Sequence, residues 1–161
     1  AKIYERDSCW VKTAKESGDL SYCPNVSEIR TRNACYVSVA DVTRTLSICD
    51  EYISDIHDRE ICYGAVARSR ADLKICGQIK NPGYQDLCDG NVARELKDPS
   101  ICENMPIRQP VLTDFKPPPS FQGGRVYCYQ EVAKATGNVS LCEKIISSYE
   151  KEKCLKAVAA P

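Results

Sequence analysis

Apolar and small residues return along this chain with a spacing of about 26 residues. In each repeat a cysteine is followed by apolar or small residues four and five positions later. The clearest copy has Cys128, Tyr129, Val132 and Ala133. On a helix of about 3.6 residues per turn these positions share one face, so the pattern predicts a helix whose buried face carries the cysteine.

A second, shorter helix is predicted after a polar turn in each repeat. Four turns carry Asp or Asn ten positions after the opening cysteine, where the side chain would cap the second helix: Asp19, Asp72, Asp98 and Asn138. A second cysteine follows inside that helix. We therefore predict an all-α fold, an α-solenoid of short antiparallel helical hairpins stapled by disulfides.

We predict that residues 1–161 form a single helical-repeat domain with an insertion. Its repeats open near Cys9, Cys35, Cys62, Cys88 and Cys128, with a partial repeat at Cys154. A proline-rich loop over 106–124 interrupts the pattern. Because a long loop in a compact repeat protein is usually functional or disordered, we expect it to contact a partner. The residues expected to do so are Phe115, Pro117, Pro118, Pro119 and Phe121.

Eleven cysteines in 161 residues greatly exceed ordinary usage. A zinc or redox site would need closely spaced pairs such as C-x2-C, and the chain has none. Disulfides are the remaining interpretation, and they predict an extracellular or periplasmic protein. The thin core, with 2 Phe, 1 Trp and 1 Met, also needs such staples.

Two disulfide frames fit the spacing. Cysteines on antiparallel helices meet when they lie equally far from the connecting turn. This symmetry favours the pairs Cys23–Cys35, Cys49–Cys62, Cys76–Cys88, Cys102–Cys128 and Cys142–Cys154. The favoured frame gives Cys9 no partner within the chain, because that partner would lie on a helix upstream of Ala1. Cys9 is then either a free cysteine or bonded to another chain. The alternative frame begins with Cys9–Cys23 and leaves Cys154 over.

Charge and hydropathy exclude several partners. The 22 basic and 22 acidic residues balance without long runs of either sign, which argues against nucleic acid or an anionic membrane surface as the main partner. No stretch reaches about 18 consecutive apolar residues, so we predict no membrane span. Because residues 1–9 lack a signal-peptide pattern, we expect a mature form or an internal fragment.

Three smaller features have competing interpretations. A basic residue stands three positions before the first cysteine of most repeats, as Arg32 and Arg125 do. These residues form either a row that binds an anionic polymer or, as we prefer, ion pairs between repeats. Aromatic residues after the cysteines form either a sugar platform or, preferably, packing contacts: Trp10, Tyr36, Tyr63 and Tyr129. The sequons at Asn25 and Asn138 permit N-glycosylation in an exported protein, although Asn138 also suits an N-cap.

No catalytic constellation is visible in the sequence. The single histidine, His57, lies in the acidic stretch DIHDRE and is predicted to be a surface residue. We therefore predict that the protein is not an enzyme, has no metal site and needs no cofactor.

The paired-helix repeat resembles tetratricopeptide-like helical solenoids, and within them the cysteine-stapled Sel1-like repeat proteins of exported bacterial systems. The resemblance is architectural and covers about 140 residues, with a repeat shorter than the usual value of about 34. It implies a non-enzymatic surface for binding or assembly.

These observations predict an extracellular scaffold that assembles end to end into a filament or coat, with itself or another protein as partner. An alternative is a secreted monomer that recognises a peptide or glycan through its concave face or the 106–124 loop. A second alternative is an exported hydrolase whose site is not identified.

Overall fold

The structure, a computed structural model, describes residues 2–107 and 122–159. These residues are predominantly helical and include no β-strand, which confirms the predicted all-α class. The chain divides into two compact units, Ala1–Lys80 and Asn81–Pro161.

Long and short helices alternate in each unit. Unit 1 contains α1 (Lys2–Ser17), a 3-10 helix (Leu20–Asn25), α2 (Ile29–Thr43), α3 (Ser47–Tyr52), α4 (Ile56–Arg70) and α5 (Leu73–Cys76). Unit 2 contains α6 (Pro82–Leu96), α7 (Ser100–Asn104), α8 (Gly124–Thr136), a 3-10 helix (Val139–Lys144) and α9 (Ser148–Ala159). Two of the short elements are 3-10 rather than α-helical, and each is 6 residues long.

The predicted N-caps Asp19, Asp72 and Asn138 are confirmed, whereas Asp98 makes the equivalent hydrogen bond from one residue before the N-cap of α7, Pro99. Asp19 accepts a hydrogen bond from the backbone N–H of Ser21 at 2.8 Å. Equivalent bonds run from Lys74 to Asp72 (2.9 Å), from Ser100 to Asp98 (2.9 Å) and from Ser140 to Asn138 (3.1 Å). Each bond satisfies a backbone donor that the start of a helix leaves without an intrahelical acceptor.

The long helices α1, α2, α4, α6 and α8 are each followed directly by a left-handed residue, nine positions after the first cysteine of the repeat. The residues and their φ angles are Gly18 (70°), Arg44 (56°), Ala71 (52°), Lys97 (54°) and Gly137 (67°). This conformation lets the following N–H groups bond the last helical carbonyls and reverses the chain into the short helix. Three of the five positions carry a side chain, although glycine is the residue that adopts this region without cost.

The core of each unit is built from the repeated small and β-branched residues. The valines four positions after the cysteine are fully buried: Val39, Val66, Val92 and Val132. The following alanines are also fully buried: Ala14, Ala40, Ala67, Ala93 and Ala133. Ala159, at the same position of α9, is exposed.

Contacts between long helices show their direction. In unit 1 Asn33 near the start of α2 donates to Asp58 near the start of α4 at 2.7 Å. Near their ends, Arg68 of α4 donates to Asp41 of α2 at 2.7 Å. Helices α2 and α4 therefore run in the same direction, with the short α3 returning the chain between them.

Candidate functional site

Four disulfides each join a short helix to the long helix that follows it in the same unit. Four bonds connect Cys23 to Cys35, Cys49 to Cys62, Cys102 to Cys128 and Cys142 to Cys154, with Cα–Cα distances of 5.5 to 5.7 Å. Cys76 and Cys88 are disulfide-bonded as well, which brings the disulfides to five. The alternative frame, which needs a Cys9–Cys23 bond, is excluded because Cys23 bonds Cys35.

Cys9 is exposed and free, unlike every other cysteine at its repeat position. The equivalent cysteines are at most 2% exposed and all disulfide-bonded: Cys35, Cys62, Cys88, Cys128 and Cys154. Cys9 lies in the middle of α1, with Glu5 and Lys12 one turn away on either side. Both neighbours are exposed, so a group approaching the thiol would meet one acid and one base.

α1 is held on the side facing the rest of unit 1. The carboxylate of Asp7, only 4% exposed, accepts from the backbone N–H of Ser27 at 2.9 Å. Arg6 donates to the hydroxyl of the same serine. Trp10 stacks on Tyr22 of the next short helix, with ring centroids 5.9 Å apart. These contacts fix the helix, and therefore the direction in which Cys9 faces solvent.

The Asp7 contact recurs in the repeat but was not predicted from the sequence. In α4 the buried Glu60 accepts a hydrogen bond from the backbone N–H of Lys80 at 2.7 Å. Lys80 occupies the position in its repeat that Ser27 occupies in the first repeat. After the insertion Gln122 accepts from the equivalent N–H, that of Ile146, at 2.7 Å. The sequence signal for this contact is an acidic residue two positions before the first cysteine of a repeat. Nothing in the sequence indicates that Gln122 takes the place of that acid in the last full repeat.

The expected partner-contact residues of the insertion, Phe115, Pro117–Pro119 and Phe121, lie outside the described residues. Both ends of the insertion are anchored. Before it, the backbone carbonyl of Met105 accepts from Arg125 Nε at 2.7 Å. After it, Gln122 also donates to the carbonyl of Lys144 at 2.9 Å.

The basic residues that precede the cysteines differ in their partners: Lys151 pairs with Glu143 at 3.0 Å and Arg6 with the adjacent Asp7 at 3.5 Å, but within residues 2–107 and 122–159 Arg32 and Arg125 form no ion pair. Arg32 donates to the backbone carbonyl of Val26 at 2.9 Å, and Arg125 donates to that of Met105. Both carbonyls belong to the segment just after a short helix. These arginines therefore stabilise the turn before a long helix, and their hydrogen bonds point inward rather than toward a shared anion.

Most aromatic residues of the repeat pack inside their units. Tyr36 and Tyr129 are 7% and 5% exposed, and Tyr36 lies 5.1 Å from the ring of Tyr52. Tyr63 is partly buried and donates to Asp50. Burial raises the pKa of Tyr63, and the Asp50 carboxylate raises it further because it favours the protonated phenol. This arrangement agrees with packing rather than with an exposed sugar platform.

The predicted surface histidine is exposed. It borders a depression of about 470 Å³ between the starts of α2 and α4, lined by Ile29, Arg30, Asn33, Asp55, His57 and Asp58. Over residues 2–107 and 122–159, no group of three His, Cys, Asp or Glu residues could hold a metal ion. Within the same ranges no helix has the length and apolar character needed to cross a membrane.

Comparison with known proteins found no matching protein-family model, no matching curated protein and no matching solved structure. The resemblance to tetratricopeptide-like and Sel1-like repeats therefore stays a prediction.

Proposed function

We propose that this chain is an exported, non-enzymatic structural protein, whose hairpins stack as a solenoid and which is bonded to another polypeptide through Cys9. Disulfide links at Cys9, together with non-covalent contacts between further chains, would build a filament or coat. The five disulfides support export, because the reducing cytosol of most cells keeps thiols unpaired.

The observation that carries this proposal is the contrast at Cys9. Five of the six cysteines at this repeat position are buried in disulfides, and the sixth is exposed on a helix fixed by Asp7 and Trp10. An exposed thiol in an oxidising compartment is a natural site for a bond to a second chain. The partner must bring a cysteine whose Cα lies within about 7 Å of that of Cys9.

The solenoid part of the proposal is supported by contacts between successive long helices. In unit 1, Arg68 bonds Asp41, 27 residues earlier, and Arg70 bonds the carbonyl of Arg44, 26 residues earlier. In unit 2, Arg94 of α6 donates a hydrogen bond to Glu131 of α8, 37 residues later, on the other side of the insertion. Parallel neighbours at one repeat's distance are the packing that a solenoid requires.

Non-reducing electrophoresis of natively exported protein tests the cross-link. We expect a band above the monomer that collapses on reduction, and a Cys9-containing disulfide peptide in its tryptic map. Cys9→Ser should abolish the band without changing the melting temperature, because the side chain is exposed.

A matched control moves the thiol by one position. Cys9→Ser combined with Ser8→Cys keeps an exposed cysteine on α1 but turns it by about 100° around the helix. We expect this variant to cross-link poorly. Equal cross-linking by the control, or native protein that is entirely monomeric without reductant, would contradict the proposal.

A further inference from the structure

The two sequons of the chain lie in very different structural settings. Asn138 caps the short 3-10 helix Val139–Lys144 in unit 2, directly after the left-handed Gly137. Asn25 ends the 3-10 helix Leu20–Asn25 in unit 1. Both asparagines are exposed, so exposure of the asparagine alone does not distinguish them.

The Asn138 side chain leaves its nitrogen available for modification. Its oxygen Oδ1 accepts from the backbone N–H of Ser140 at 3.1 Å and from the Ser140 hydroxyl at 2.7 Å. Its nitrogen Nδ2 has no hydrogen-bond partner among the described residues. A substituent on Nδ2 would leave the capping oxygen in place, so modification and folding are compatible at this position.

The whole Asn138 sequon is presented on the surface. Val139 is 50% exposed, and Ser140 is exposed as well. A methyl group placed on Gly137 would meet no atom within 4 Å, which shows that the turn before the sequon is open to solvent. A bulky group attached here therefore extends away from unit 2.

The Asn25 sequon is built into the structure of unit 1. Val26 is fully buried. The backbone N–H of Ser27 is bonded to the buried carboxylate of Asp7, and its hydroxyl accepts from Arg6. An enzyme that binds the tripeptide in an extended form would have to remove Val26 from the core and break both contacts with α1.

We propose that Asn138 is an N-glycosylation site and that Asn25 is not modified in the folded protein. The donor is a sugar activated as a polyprenyl phosphate or diphosphate, used by a glycosyltransferase of the exporting cell. Nδ2 of Asn138 bonds to the anomeric carbon and loses one proton, while the bond from that carbon to the phosphate oxygen breaks and the lipid phosphate leaves. This proposal rests on the export proposed above but not on the Cys9 cross-link.

The repeat itself supplies a matched variant. Asp occupies the same capping position at Asp19, Asp72 and Asp98, and each accepts the equivalent backbone hydrogen bond. Asn138→Asp therefore removes the acceptor nitrogen while keeping the cap. Ser140→Ala removes the sequon from its other end, and Asn25→Asp is the control in unit 1.

Intact mass and peptide mapping of the full chain, exported from a host with N-glycosylation, test the proposal. We expect one glycan at Asn138 in the wild-type chain and in Asn25→Asp. The mass should return to that of the unmodified sequence in Asn138→Asp and Ser140→Ala, with melting temperatures close to that of enzymatically deglycosylated protein.

The possible failures are distinguishable. An unmodified Asn138 in exported protein with intact disulfides, or a glycan on Asn25, would overturn this proposal and leave the export and the Cys9 link standing. Native protein with free thiols throughout and no glycan would overturn the export, and this proposal with it.

Discussion

Helices α2 and α4 in unit 1 occupy the same places in the repeat as α6 and α8 in unit 2, but the two pairs pack differently. Long polar side chains join α2 to α4, with Arg68 reaching Asp41 and Asn33 reaching Asp58. Between α6 and α8 the backbones approach closely at Gly90. A methyl group there would lie 2.8 Å from the ring of Tyr127 and 3.4 Å from the Cα of Cys128.

The second helix of each pair also begins differently. The N-cap of α4 is Asp55, whose carboxylate accepts a hydrogen bond from the backbone N–H of Asp58 at 2.9 Å. α8 follows the insertion, and its N-cap is Gly123, which provides no side-chain cap. The next residue, Gly124, lies against Asp86 so tightly that a methyl group would come within 2.5 Å of its Cβ.

The difference shows what the insertion changes. An ordinary repeat caps its next long helix with a side chain and joins the neighbouring helices through charged groups. After the insertion, the chain uses two glycines to bring α8 against α6. Packing of α8 against α6 therefore depends on glycine at positions 90 and 124, whereas the equivalent positions of α2 and α4, respectively, carry side chains.

The substitution Gly90→Ala should show the largest effect. The added methyl would overlap the Tyr127 ring, which is itself held by a hydrogen bond from its hydroxyl to Asn91 at 2.9 Å. Overpacking of a buried helix contact costs about 2 kcal/mol. We expect a lower free energy of unfolding in a denaturant titration, with faster hydrogen exchange in α6 and α8.

Gly64→Ala is the matched control for this substitution. Gly64 stands two residues after Cys62, as Gly90 does after Cys88, but a methyl there meets no atom within 4 Å. Alanine favours a helix over glycine by up to about 1 kcal/mol, so this variant should be more stable than the wild type. Effects of the same sign in both variants would contradict the comparison.

The sequence predicts the repeated part of the fold but not the exceptions. The spacing of cysteine, valine and alanine is enough to place the long helices, and acids such as Asp19 and Asp72 mark the short ones. The left-handed ends at Arg44, Ala71 and Lys97 are not predictable from composition, because packing of the hairpin rather than residue preference imposes that conformation. The free thiol follows from the odd cysteine count, but only the structure shows that it is exposed.

The left-handed helix ends provide a second comparison between the units. The C-cap residue is Ala71 (φ 52°) after α4 and Gly137 (φ 67°) after α8. A Cβ in this region costs roughly 1 kcal/mol. Ala71→Gly should therefore stabilise the protein, and Gly137→Ala should destabilise it by a similar amount.

Gly137→Ala measures the cost of the left-handed backbone conformation alone, because the new methyl group would contact no atom within 4 Å. Thermal unfolding of both variants, with circular dichroism at 222 nm as the signal, measures the shifts. Opposite shifts of the midpoint are expected. A Gly137→Ala variant as stable as the wild type would mean that α8 can end without a left-handed residue.

The smallest expected effect concerns a charged contact between α6 and α8. Glu131 accepts from Lys134 Nζ at 2.7 Å and from Arg94 Nη1 at 3.2 Å, and its side chain is 13% exposed. Burial acts to raise the pKa of Glu131, but hydrogen bonds from Lys134 and Arg94 and their positive charges outweigh it, so the pKa is held below its usual value of 4.5.

This shift fixes the sign of the pH dependence. Because the folded protein holds the carboxylate more acidic than the unfolded chain does, its contribution is complete above pH 4.5 and is lost as the pH falls through the lower folded pKa. Glu131→Gln should therefore be less stable than the wild type at pH 7, by less than about 1 kcal/mol given the partial solvent screening of its partners. The difference should shrink steadily below pH 4.5 in denaturant titrations at several pH values.

Glu143→Gln is the control, because it removes the more exposed ion pair of Glu143 with Lys151, and it should change stability less at pH 7. A Glu131→Gln deficit that stays constant down to pH 2 would show that side-chain packing, rather than the charge on Glu131, connects α8 to α6.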